Sequence, residues 1–283
     1  MMKKVISASR RTDLPAFFPD WLAGAFREGR ADVFGPSGRL YGVDLRPDAV
    51  HTIVLWSKDF SPLIRNAHGL RDVLEIYDQP YFLFTVTGLG GTFIEKGAPP
   101  PAVALGQLPE LVAIAGDPKR VSLRFDPVVY WREGSRIKTN LPFFATVAEK
   151  AARAGIEDIR TSFTQWYGKA VRRAERHGFD YVDLPEDEKL EAARKLVEIA
   201  EKYKLRLTSC SQNFLTRVPG IRASACIDGR LLRKLHPLGE DASTAKDKSQ
   251  RPECGCTLSV DIGSYTQSCP HSCLYCYANP KVS

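Results

Sequence analysis

All seven cysteines of this 283-residue chain fall after residue 209, at Cys210, Cys226, Cys254, Cys256, Cys269, Cys273 and Cys276. In a reducing compartment such a cluster points to metal ligation or catalysis rather than to disulfides. The densest part is Ser268-Cys269-Pro270-His271-Ser272-Cys273-Leu274-Tyr275-Cys276-Tyr277, with cysteines at intervals of four and three. A compact loop with that spacing can wrap three thiolates around one cubane, and thiolates are the soft ligands iron-sulfur clusters require. Three ligands leave one iron of a 4Fe-4S cluster without a protein donor, which is the mark of a reactive rather than a structural site. The rival chemistry is a zinc ion held by the same three cysteines with His271 as fourth ligand.

Cys210, Cys226, Cys254 and Cys256 form a second set of four, suited to a closed tetrahedral zinc or an auxiliary iron-sulfur cluster. Cys254-Gly255-Cys256 reads as a clip. The plainer reading makes Cys210 and Cys226 small buried apolar residues and only the pair functional.

The elements that must position these groups follow from the apolar pattern. Short β-rich runs at 5–9, 51–56, 81–86, 120–125, 158–163 and 205–209 alternate with helical patterns at 17–28, 63–76, 102–115, 141–154, 165–177 and 186–203. Strand, helix, strand, helix implies βαβ units and a parallel sheet. Six units predict an α/β fold of the partial (β/α)6 barrel type, TIM-like, over residues 1–236. A cysteine-rich extension over 237–283 packs on its mouth and carries the cluster loop, the whole forming a single unit. An open doubly wound sheet is the alternative, weakened because Ser9-Arg10-Arg11-Thr12-Asp13 stands where a glycine-rich dinucleotide fingerprint belongs. Residues 88–101, rich in Gly and Pro, and the charged stretch 237–253 read as loops.

In parallel α/β barrels the working face lies at the C-terminal ends of the strands. Those ends are polar here: Ser7, Ser9, Arg10, Arg11, Thr12 and Asp13, then Trp56, Ser57 and Lys58, then Thr85 and Thr87. Arg124 and Asp126, Thr161 and Ser162, and Ser209, Ser211, Gln212 and Asn213 complete the set. Arg10 or Arg11 can grip a carboxylate in two-pronged fashion, and Asp13 or Asp126 can accept from ribose hydroxyls or a substrate amine. We take Arg10, Asp13 and Asp126 as catalytic candidates and Ser7, Ser9, Arg11, Ser162 and Ser211 as cofactor contacts. Asp13 before Leu14-Pro15 equally suits a helix N-cap, and Arg124 and Asp126 equally suit a pair with each other. His51, His68, His177 and His236 lack recognisable ligand partners.

Cys-x3-Cys-x2-Cys with Tyr275 before its last cysteine resembles the signature of the radical S-adenosylmethionine superfamily. The resemblance implies Cys269, Cys273 and Cys276 as ligands of a 4Fe-4S cluster, with Tyr275 near the adenine side of S-adenosyl-L-methionine. It implies that the open iron chelates the amino and carboxylate groups of that cofactor, and that one electron then yields a 5'-deoxyadenosyl radical that abstracts hydrogen from substrate. An electron donor such as flavodoxin or ferredoxin is implied as partner. In most of that superfamily the triplet follows the first strand, whereas here it ends the sequence; if the ends of a partial barrel lie close together, the loop reaches the same mouth. The opening Ile6-Ser7-Ala8-Ser9-Arg10-Arg11-Thr12-Asp13 with this ending also resembles a bacterial group similar to queuine lyase, which implies a lyase-like reaction on a small polar or nucleobase-like substrate.

The remaining features narrow the setting. A surplus of 40 basic over 33 acidic residues is a weak vote for an anionic partner. Arg172, Arg173, Arg176 and His177 form a basic helical patch, and spore photoproduct lyase shows that radical enzymes act on DNA, but without interleaved aromatics a solvated face is favoured over nucleic acid. The start lacks a secretory apolar run and nothing approaches a membrane span, so the expectation is cytoplasmic, with no membrane partner. The functional alternatives are a metal-stabilised binding or redox-sensing protein, or a radical enzyme acting on nucleic acid.

Overall fold

A computed structural model describes every residue except Met1, Pro36, Asn279 and Ser283. The six expected strands form: β1 Lys4–Ala8, β2 Val50–Ser57, β3 Pro80–Thr85, β4 Val121–Val128, β5 Asp158–Phe163 and β6 Arg206–Ser209. Two more join them, β7 Ile221–Ala223 and β8 Val260–Asp261. With three and two residues, neither is long enough to show alternation in sequence. Counting only these central strands, the order is β7-β6-β5-β4-β3-β2-β1-β8, every pair parallel. β8 comes from the cysteine-rich tail and pairs with β1 through Ile6 opposite Val260 and Ser7 opposite Asp261.

Helices carry the chain between strands. Pro19–Glu28 starts on Pro at its first turn, where no N–H is needed, and stops at Gly29 with φ 64°, a conformation glycine adopts without strain. Glu186–Lys202 opens on Glu186, Asp187 and Glu188 and closes on Lys202, charges that suit its dipole. Alternation in the strands sorts side chains by face. Phe82, Phe84, Leu123 and Phe125 point to the helix layer and join a continuous core with Phe60 and Phe144. On the other face Val5, Val54, Tyr81 and Leu83 pack against Cys226, Ile227 and Cys256, while polar side chains of that face gather toward the strands' C-terminal ends.

Two antiparallel hairpins, Arg30–Phe34 with Leu40–Asp44 and Tyr130–Glu133 with Arg136–Thr139, were not expected from the alternation. The second turns on Gly134 at φ 60°. Beyond β7 the chain meets the segment leading into β8: Thr257 N donates to Ile227 O at 3.0 Å, and Gly229 N donates to Thr257 Oγ1 at 3.0 Å. Among the described residues no helix is long and apolar enough to cross a membrane.

Candidate metal and cofactor site

At the C-terminal ends of the strands lies a cavity of about 260 Å³, and all seven cysteines line it. Arg10, Asp13, Asp126, Ser9, Arg11, Ser162 and Ser211 line it too, as do Lys58, Thr85, His271 and Tyr275. Ser7 lies just beneath: its hydroxyl donates to Asp261 at 2.9 Å and accepts from Trp56 Nε1 at 3.0 Å.

The triplet loop is held from three sides. From the sheet, Asp13 accepts from Ala16 N at 3.1 Å, Ser57 Oγ at 2.8 Å and Lys58 N at 2.8 Å, and meets His271 Nε2 at 2.6 Å. The helix-cap role therefore holds, and the same carboxylate reaches into the cysteine loop. His271 Nδ1 faces the carbonyl of Gly97 at 3.1 Å, which can only accept. With both ring nitrogens engaged, His271 is not free to be the fourth ligand of a zinc site. From the loop after β3, Gly97 N donates to His271 O at 3.0 Å and Leu274 N to Ile94 O at 3.0 Å. A Cβ at Gly97 would strike the carbonyl of Pro270, so only glycine permits this approach. From the helix Gly168–Arg176, Arg173 donates to Cys276 O at 2.7 Å and Leu274 O at 3.2 Å. That side chain is thus turned inward, whereas Arg172, Arg176 and His177 are exposed.

Glu95, inside the stretch read only as a loop, is 1% exposed. It takes a hydrogen bond from Thr87 Oγ1 at 2.6 Å, another from the Tyr275 hydroxyl, and an ion pair from Lys58 at 3.0 Å. Burial works against the Lys58 charge, but the Glu95 carboxylate outweighs it and holds the ammonium above its usual range. Nothing in the local sequence marks Glu95 beyond a charged residue among glycines and prolines.

The thiols themselves are buried. Burial first, and then the charge of Asp13, pushes Cys269 up to about 12; burial, then Glu95, raises Cys273, and burial raises Cys276. Such thiols lose their protons only to a strong cationic partner, as metal ligation supplies.

Across the cavity, Asp126 pairs with Arg124 and accepts from Ser162. Arg124 and Arg10 both lie over the Trp56 ring, at 5.1 and 5.4 Å from its centroid. Arg124 Nε and Arg10 Nη2 are buried donors without a partner. Asp261, overlooked in the tail, accepts from Arg10 N and Ser7, and Gly263 beyond it passes so close to Ser9 that a Cβ would clash. Arg11 donates to Gly263 O at 2.7 Å and stacks on Tyr265. Thr87, Thr161, Ser209, Gln212 and Asn213 do not reach the cavity; Gln212 instead bridges to Phe163 through N–H and C=O.

Cys210 follows β6, Cys226 follows β7, and Cys254 and Cys256 precede β8. The sulfurs of Cys210, Cys226 and Cys256 all lie within 4.8 Å of one another. Cys254 packs in the same buried cluster as Cys226 and Cys256, with Cys210 against it. The neighbouring cysteines, Cys210 first, lower Cys256 below the ordinary thiol range, while Cys226 first raises Cys210. A separate group, Asp78, His236 and Glu240, is already bridged by Lys3, at 3.3 Å from Asp78 and 2.9 Å from Glu240.

The chain matches, over residues 5–278, the family described as a domain of unknown function (DUF1848), and belongs to it. No curated protein matches it. Among solved structures it is similar to a D-hydantoinase from Bacillus sp. AR9, at 11% identity and a TM-score of 0.34, covering 77% of this chain and 45% of that one. Dihydropyrimidinase from Brevibacillus agri NCHU1002 matches at 13% identity and 0.34, covering 78% and 46%. Streptococcus suis SuiB bound to S-adenosylmethionine matches at 8% identity and 0.35, covering 84% and 52%. The chain thus spans about half the length of these structures, and similarity this low carries no functional argument.

Proposed function

We propose that the protein is a radical S-adenosylmethionine enzyme of the cytoplasm, built as a partial β/α barrel whose cysteine-rich extension, residues 237–283, lies over the mouth. The observation that carries the reading is the meeting of Cys269, Cys273 and Cys276 with the polar strand ends at one cavity. The residues fit a 4Fe-4S cluster better than a lone zinc. Thiolates on one tetrahedral ion, with bonds of about 2.3 Å, sit roughly 3.8 Å apart; among the described residues the triplet is not such a tight set. His271 is engaged elsewhere, so the donor set offers three thiolates and no fourth ligand.

When bound, the cluster supplies a low-potential electron and an open iron for the amino and carboxylate groups of S-adenosyl-L-methionine. The protein's part is to hold and orient. Asp13, Lys58, Glu95 and Arg173 fix the triplet loop; Tyr275, its hydroxyl tied to Glu95, presents its ring to the cavity. Arg10 and Arg124, with unpartnered buried donors, are the groups able to receive a carboxylate or other anion. Ser9, Arg11, Ser162 and Ser211 line the remaining wall, and Asp126 accepts from a hydroxyl or amine of a small polar or nucleobase-like substrate, in a queuine-lyase-like reaction. A one-electron donor protein such as flavodoxin or ferredoxin completes the cycle.

The test is anaerobic reconstitution with iron and sulfide, reduction with dithionite, and chromatography of the products of S-adenosyl-L-methionine. Release of methionine and 5'-deoxyadenosine by the wild type, and none by Cys273→Ala, is expected. A folded, iron-loaded wild type that releases neither would favour a binding or redox-sensing protein instead.

A further inference from the structure

The sheet has two edges, β7 and β8, and the four upstream cysteines sit where those edges come together. Cys226 is three residues past Ala223, the end of β7, and Cys256 is four before Val260, the start of β8. No strand pairing joins β7 to β8 among the described residues; the contact there is the Thr257–Ile227 hydrogen bond, with Ile227 N also aimed at Cys256 Sγ at 3.5 Å.

We propose that Cys210, Cys226, Cys254 and Cys256 hold a single tetrahedral metal ion of the zinc type, and that this ion staples the two edges of the sheet. Three of the sulfurs lie within 4.8 Å of one another, close to the roughly 3.8 Å separation of thiolates sharing one ion. A cubane places its thiolates on different irons and draws them apart. Four protein donors close the site, so the ion is structural. Four thiolates on a dication leave a net negative charge, and the surroundings answer it. Arg10, whose buried Nη2 has no hydrogen-bond partner, and Arg124 line the same cavity as these cysteines and set their positive charges against Cys256 and Cys226. The Ile227 amide adds a fixed N–H donor to sulfur of the kind that tunes metal-bound ligands. A covalently continuous path through the ion replaces the ladder that strands of three and two residues cannot supply.

This site is independent of what the triplet carries, and it is tested in the full chain with Cys269, Cys273 and Cys276 all changed to alanine, purified without oxygen. About one zinc per chain, little iron, and thiolate-to-cobalt charge-transfer bands after replacement by Co(II) are expected. Adding Cys226→Ser should abolish the zinc and the bands and lower the thermal midpoint by about 10 °C, the scale for losing a tight ligand from a chain of this size. Should that variant fail to fold, the cobalt spectrum of its parent still decides. Iron and sulfide retained by the parent and lost with Cys226, or a folded parent that takes up neither zinc nor cobalt, would overturn the proposal.

Discussion

Replacing Asp13 by alanine removes more than a helix cap. The cap bond to Ala16 N alone is worth about 1 kcal/mol. The same carboxylate, 7% exposed, also satisfies Ser57, the amide of Lys58 and the ring of His271. Each buried donor left without its acceptor costs about 1–3 kcal/mol. These terms overlap, so we expect Asp13→Ala to destabilise by about 4 kcal/mol, a large share of the 5–15 kcal/mol typical of a folded domain. Asp13→Asn, which keeps an acceptor oxygen, should lose about half as much. Urea denaturation of the anaerobically purified protein gives these values from shifts in midpoint at constant slope. A cycle with His271→Ala should show a coupling of about 2 kcal/mol, and both single variants should retain less iron. A loss near 1 kcal/mol with additive double-variant behaviour would mean that Asp13 only caps its helix and does not anchor the cysteine loop.

Three further outcomes follow from the geometry. Lys58→Met leaves Glu95 buried and unpaired and should destabilise by about 3–5 kcal/mol in the same assay, with Lys58→Met/Glu95→Leu less costly than the single change. Tyr77, whose hydroxyl donates to Leu45 O at 2.5 Å, is pushed up to about 12, by burial first and then by Asp44. Unfolded tyrosine releases its proton near 10, so between pH 10 and 12 the unfolded chain binds fewer protons than the native one, and stability falls by about 1.4 kcal/mol per unit. Below pH 10 the term is flat, and Tyr77→Phe should remove that part of the decline in denaturation midpoint. Arg10→Gln should weaken S-adenosyl-L-methionine binding by equilibrium dialysis about tenfold or more, the loss of one charge-assisted hydrogen bond.

The sequence pattern carried the α/β alternation because β1 to β6 are long enough to show burial on both faces. β7 and β8 stayed hidden, since two or three residues have no period, and only their pairing partners make them strands. At the candidate site, the sequence pointed to the residues that share one cavity, the cysteines by their clustering and Arg10, Asp126 and Ser162 by their places at the strand ends of a parallel sheet. The site was not legible where long-range approach decides. Glu95 and Asp261 look like ordinary loop and tail carboxylates until Gly97 and Gly263 let those segments close on the triplet loop and on Ser9. Asp13 shows both at once, with its cap readable from Leu14-Pro15 and its bond to His271, 258 residues away, readable only in three dimensions.

The central claim, a three-thiolate cluster with an iron open to S-adenosyl-L-methionine, is tested most directly by electron paramagnetic resonance of the dithionite-reduced, reconstituted protein with and without that cofactor. We expect a reduced 4Fe-4S signal that shifts when S-adenosyl-L-methionine is added and is lost in Cys269→Ala. A signal indifferent to the cofactor, or zinc alone bound at Cys269, Cys273 and Cys276, would contradict the account.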